Sequence, residues 1–180
     1  MIKKDFEFVT KLAEDFFAQK HIQKRLRLIE KNNITGWEIW LQIEFSVFID
    51  GHIDIGEWYR EYPYSIDRRS ARNRSHMAID FIFRKKRTSL DRFIALEFKQ
   101  HINVKACIRG MMEDTCKVSL VKISEDDLRS MWSLGIHSNV ESQTLSTVIE
   151  NYAEQYNVGL EPDCIFSKPI RKTNLAYTVF

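Results

Sequence analysis

Cysteine is scarce in this chain and unpaired in pattern. Cys107, Cys116 and Cys164 form no C-x-x-C motif and are odd in number, which excludes a disulfide scaffold and suits a reducing cytoplasm. The five histidines are scattered, without the Cys/His spacing that a structural zinc site needs. With only six Gly and three Pro, no Gly/Ser linker, collagen-like repeat or Pro-rich tract is present. Long apolar runs are missing too: nothing approaches the ~18 residues of a membrane span, and the opening MIKKDFEF puts acids where a signal peptide needs an apolar core. An excess of one charge is also lacking. The 27 Lys and Arg against 25 Asp and Glu leave a net charge of +2, too mild to identify a polyanionic partner alone.

What is present is ordinary globular material: 180 residues, 44% hydrophobic and 29% charged, enough for one substantial core and too little for two comfortable domains. A single domain over 1–180 and a soluble, cytoplasmic protein are therefore expected. Apolar residues at helical spacing over 5–31 predict one or two amphipathic helices. A further helix is expected from Thr35, as N-cap, to Asp50 and Gly51. Strands are expected at 57–64, 76–85 and 92–100, the last two joined by a polar turn at 86–91. The pattern then predicts a helix at 103–117, a helical continuation to about 132 restarting at Ser124, a strand at 132–137, a helix at 139–157 and a terminal strand at 175–180. That order describes an α/β fold with helices on both faces of a mixed sheet.

One stretch breaks the pattern of buried strands. In AIDFIFRKKRTSLDRFIALEFKQ, residues 78–100, Asp80 sits between Ile79 and Phe81, and Glu97 between Leu96 and Phe98, with Lys99 two residues on. Burying unpaired charge costs several kcal/mol. Side chains alternate along a strand, so Glu97 and Lys99 share a face, and a hairpin can bring Asp80 to it. Two converging carboxylates repel unless a cation lies between them, and their oxygens suit Mg²⁺ or Mn²⁺. Lys99 would then stand beside the attacking water. The competing reading is a Glu–Lys pair on an exposed sheet face.

Acid-x-Lys occurs once, behind a second acid-bearing strand, and there the chain resembles the PD-(D/E)XK nuclease superfamily of restriction-endonuclease-like fold. That family has an α-β-β-β-α-β core, an acid on its second strand and acid-x-Lys on its third. MAID with Asp80 and IALEFK with Glu97 and Lys99 carry the resemblance, which spans about 35–157 and leaves about 1–33 as an N-terminal helical extension. Ile79 stands where the family motif has proline.

The resemblance implies a metal-dependent endonuclease, a hydrolase of phosphodiester bonds in DNA or, second, RNA, encoded by a prokaryote or phage. It implies that Asp80, Glu97 and the Phe98 backbone carbonyl ligate Mg²⁺ or Mn²⁺, and that Lys99 assists the attacking water. It also implies that Glu44, or more weakly Glu38, adds a carboxylate from the preceding helix, and that two copies of the chain can pair to cut two strands. The other function it allows is a catalytically inactive nuclease-fold protein, a phage or defence-system component, that binds nucleic acid or a protein partner.

Around that motif, Arg68, Arg69, Arg72 and Arg74, and then Arg84, Lys85, Lys86 and Arg87, form two basic runs. Arg72, Arg74, Lys85 and Lys86, with Lys105 and Arg109 on the next helix, are the candidates for phosphate contact. Gln100 and His101 read as a strand-end cap, and Asp114 with Lys117 as a surface pair. Trp37, Trp40, Trp58 and Tyr59 read as core before they read as base-stacking platforms.

Overall fold

The amphipathic start of the chain becomes two helices in the computed structural model, which describes residues 2–65, 76–88, 92–118 and 128–180. Helices α1 (Ile2–Ala18) and α2 (Lys20–Lys31) meet at Gln19, whose N–H donates to the Phe16 carbonyl at 3.2 Å. Each buries one stripe: Phe6, Val9, Leu12, Ala13, Phe16 and Phe17 on α1, and Ile22, Leu26 and Ile29 on α2. Helix α3 (Glu38–Asp50) starts after Trp37 instead of Thr35, and no side chain caps it. Burial of the Trp37 ring, 7% exposed and against Trp40, sets the start in place of the expected threonine cap.

Next follow β1 (Ile55–Ser65), β2 (His76–Lys85), β3 (Phe93–Gln100), α4 (Val104–Val118), β4 (Leu128–Ser138) and α5 (Ser142–Tyr156). A 3-10 turn, Pro162–Cys164, precedes β5 (Phe166–Pro169) and β6 (Leu175–Val179). Among the described residues the six strands form one mixed sheet in the order β1-β2-β3-β4-β6-β5. Only β3 and β4 run parallel, and α4 lies in the crossover that a parallel pair requires. The expected helical continuation to 132 is corrected over its last part: residues 128–132 belong to β4, held by the β3 register from Phe93↔Leu128 to Gln100↔Ile136. Ser124 lies outside the described residues. The short β5 gave no sequence signal, being four residues with a proline at an edge.

Helices α1 to α3 cover one face of the sheet, packing on Phe81, Phe83, Ile94, Leu96, Phe98, Leu134 and Tyr177. Phe45 of α3 meets Phe81 at 5.2 Å and Phe98 at 5.0 Å between ring centroids. These two rings immediately follow Asp80 and Glu97 in sequence, so the aromatic cluster fixes the rear of the strands that carry both acids. On the opposite face, α4 and α5 join through Cys107, Ile108, Met111, Leu145, Val148 and Ile149. Helix α4 sits very close to the sheet because Gly135 has no side chain: a Cβ there would lie 2.2 Å from Met111 Sδ. No helix among the described residues is long and apolar enough to cross a membrane.

Candidate active site

Strands β2 and β3 pair as Phe83↔Ile94, Ile82↔Ala95 and Phe81↔Leu96, and there the register ends. One step further, Asp80 stands opposite Glu97, and by alternation both carboxyls share the face of Ile82 and Ala95, on the α4 side. Beyond this point, side-chain carboxylates take over the N–H groups that a continuing ladder would use. Phe98 N–H donates to Asp80 Oδ2 at 2.8 Å, and Gln100 N–H donates to Glu38 Oε2 at 2.7 Å. In a strand, the N–H and C=O of one residue point to the same edge, so the Phe98 carbonyl faces the same gap.

The acids are closely coupled. Glu97 is 8% exposed and hydrogen-bonded to the Asp80 carboxyl. Burial, then the charges of Asp80 and Asp114, push Glu97 up to about 9. Burial also raises Asp80, against the pull of the Phe98 N–H, Glu97 and Lys99. Glu38 is raised by burial as well, with Lys99 and the Gln100 N–H opposing. Both shifts run in the direction that favours one proton shared between the two carboxyls.

Lys99 completes the group. Its ammonium is 2.7 Å from Asp114 Oδ2, and Lys117 takes the other oxygen of Asp114. Burial lowers the Lys99 pKa, but the hydrogen bond and charge of Asp114, with Glu38 and Asp80 behind, reverse that and leave it raised. The lysine stem crosses α4 at Gly110, where a Cβ would lie 2.9 Å from Lys99 Cδ. Gly110→Ala is expected to displace the ammonium while gaining up to ~1 kcal/mol of helix propensity. Ligand-free melting should stay within a few degrees, and lysine NMR should show an altered Lys99 Cε resonance. An unchanged resonance would mean that the stem is not held by this contact.

Asp80, Glu97, Lys99 and Glu38 thus come together, and Glu44 does not. Glu44 accepts from Trp40 Nε1 at 3.1 Å, pairs with Arg25, and has His21 Nε2 at 3.5 Å. It is a tie between α2 and α3, about 9 Å along the helix axis from Glu38. Asp114, expected as a surface partner of Lys117, is instead 7% exposed. Its signal was its place on the buried stripe of α4, with Cys107, Met111 and Val118 at helical spacing.

The basic candidates separate. Arg72 and Arg74 lie outside the described residues. Lys85 is five residues beyond Asp80, about 16 Å along β2, and its ammonium turns to α1, 3.2 Å from the Lys4 carbonyl and 4.4 Å from the Phe8 ring centroid. Lys86, one residue further, is exposed. Lys105 and Arg109 are exposed on α4, with Arg109 3.8 Å from Glu113. His101 Nδ1 accepts the Asn103 N–H at 3.0 Å, and Asn103 Oδ1 accepts the Ala106 N–H, so these residues form the entry to α4. Cys107 is buried, and burial pushes its thiol up to about 12, which leaves it inert as a nucleophile.

Among the described residues, no three Asp, Glu, His or Cys side chains stand together as a ready-made metal cage. The donors facing the gap are two carboxyls and a backbone carbonyl. Such a set fits a cation that keeps several of its waters, and replacing the shared proton by Mg²⁺ or Mn²⁺ would remove the repulsion between Asp80 and Glu97. Comparisons of the chain with protein-family models, with curated proteins and with solved structures each return no match.

Proposed function

We propose that this protein is a metal-dependent nuclease that hydrolyses phosphodiester bonds in nucleic acid, with DNA as the first substrate to test. One observation carries the reading: the buried carboxyl of Glu97 and the half-buried carboxyl of Asp80 meet across a gap where the β2–β3 ladder stops, beside the Lys99–Asp114 pair. The element order α3-β1-β2-β3-α4-β4 supports a restriction-endonuclease-like core.

In this reading Asp80, Glu97 and the Phe98 carbonyl hold Mg²⁺ or Mn²⁺. When bound, the ion supplies Lewis-acid stabilisation of the charge that develops on the phosphate oxygens. Lys99 orients the water whose oxygen attacks phosphorus as the bond to the leaving sugar oxygen breaks. Asp114 holds that ammonium in place. Glu38, instead of Glu44, is the carboxylate that α3 contributes, and it acts on β3 through the Gln100 N–H.

Plasmid and labelled DNA and RNA oligonucleotides, incubated with Mg²⁺, Mn²⁺ or chelator, test the proposal. The wild type is expected to cleave only with metal, and Lys99→Ala to be about 100-fold slower, the usual range for a positioned acid–base group. Substrates left equally intact by both proteins would defeat the catalytic reading. Salt-sensitive binding without cleavage would identify an inactive nuclease fold.

A further inference from the structure

Helix α2 carries Lys20, Lys24, Arg27 and Lys31, all exposed. Spaced by four, three and four residues, they lie within about 60° of one another around the axis and span roughly 16 Å along it. Ile22, Leu26 and Ile29, which are 0%, 0% and 8% exposed, occupy the opposite side. The cationic stripe therefore faces straight out from the core.

A solvated helix face normally mixes signs. This one does not. The only acid of α2, Glu30, accepts the Asn174 N–H at 3.0 and 3.2 Å. His21 and Arg25, off the stripe, turn to Glu44. No carboxylate among the described residues lies within ion-pair distance of the four cations. In a chain of net charge +2, this is a strong local concentration of one sign.

The ends of the helix give the stripe a direction. Lys20 lines a pocket of about 350 Å³ with Arg171 and Lys172, which extends the positive surface onto the β5–β6 turn. At the other end, Ile29 and Glu30 line a cleft of about 390 Å³ whose far wall is Gln100 and His101. Gln100 is the residue whose N–H binds Glu38 at the candidate active site.

We infer that α2 is a track for the phosphate backbone of nucleic acid, continuing from Lys20 onto Arg171 and Lys172 of the β5–β6 turn. A row of cations on one helix face provides phosphate contacts that position a strand without reading its sequence. An anionic membrane is the poorer occupant, because an interfacial helix needs a free apolar face and that of α2 is already in the core. The inference deepens the nuclease reading by adding a binding surface, yet it concerns binding without metal and is tested separately from cleavage.

The test uses the full chain in chelator, with fluorescein-labelled single-stranded and duplex DNA and fluorescence anisotropy over a salt series. The variant Lys20→Gln, Lys24→Gln, Arg27→Gln, Lys31→Gln keeps good helix formers and should melt within a few degrees of the wild type. It is expected to bind at least ~10-fold more weakly at 100 mM salt, with a slope of log K against log salt shallower by about three, from ~0.7 to 0.9 for each phosphate no longer neutralised. The double variant Lys24→Glu, Arg27→Glu should weaken binding at least as much, which guards against misfolding of the quadruple variant. Wild-type affinity and slope in both variants would overturn the inference. So would loss of binding to phosphatidylserine vesicles with DNA binding unchanged. Stripe-dependent binding by a chain that never cleaves would uphold the track while removing the nuclease reading.

Discussion

Glu97→Gln is expected to lower metal-dependent cleavage about 10³-fold, or ~4 kcal/mol, and to raise the melting temperature of the metal-free protein at pH 8 to 9. The two effects have one cause. In the folded protein Glu97 is pushed up to about 9 from its ordinary value of 4.5, first by burial and then by Asp80 and Asp114. Between those values the folded state keeps a proton that the unfolded chain has released. The stability contributed by this group is therefore fully present at and below about 4.5 and is lost as pH rises through about 9. Glutamine keeps the shape of the protonated acid and carries no charge to bury, so the variant should show a flat profile over this window. Added Mg²⁺ should restore the wild type at pH 8 to 9 and leave the variant unmoved, since a metal ligand must lose its proton to bind. Thermal melts in chelator at pH 5, 7 and 9 check the sign. A wild-type melting temperature that is constant or rises with pH would remove the buried shared proton, and with it the basis for placing a cation there.

The second large effect lies far from the site. Asp5→Ala is expected to cost about 3 kcal/mol, the lower end of the range for breaking a buried pair, and to lower the melting temperature by roughly 6 to 12 °C for a chain of this size. Asp5 is fully buried at 0% exposure, and its Oδ2 accepts from Arg129 Nε at 2.7 Å and from Ser130 Oγ at 3.1 Å. Lys85 Nζ stands 3.6 Å from Oδ1, which makes no hydrogen bond. One carboxylate thus ties α1 to the start of β4 and the end of β2. Arg129 and Lys85 are partly solvated, with side chains 15% and 24% exposed, which places the cost at the low end. A change in melting temperature below about 2 °C would show that α1 is held by its apolar stripe alone.

Asp80, Glu97 and Lys99 were legible because strand alternation and a single acid-x-Lys match constrain the same three positions. Helix α3 was harder. Its sequence is apolar on nearly every side, so Ile39, Ile43 and Val47 are 50% to 70% exposed, and the neighbours of Glu44 gave no true guide to its direction. Glu38 lay in the first turn, where an acid suits the helix dipole, and that local explanation concealed its reach to β3. Asp114 with Lys117 has the spacing of any surface pair. Its place on the stripe of Cys107, Met111 and Val118 was the better guide, and the close seat of α4 at Gly110 and Gly135 completes its burial. Lys85 shows another tertiary effect: it read as a candidate for phosphate contact, and its ammonium is bound to α1 from 81 residues away in sequence.

The carboxylates that end the β2–β3 ladder also act as guards. Where two strands separate, a bare row of N–H donors invites an intruding segment to add itself and begin an aggregate. Asp80 and Glu38 occupy the Phe98 and Gln100 donors and surround them with negative charge. The groups to which the nuclease proposal gives a chemical role also keep this opening from being sealed by a foreign β-strand.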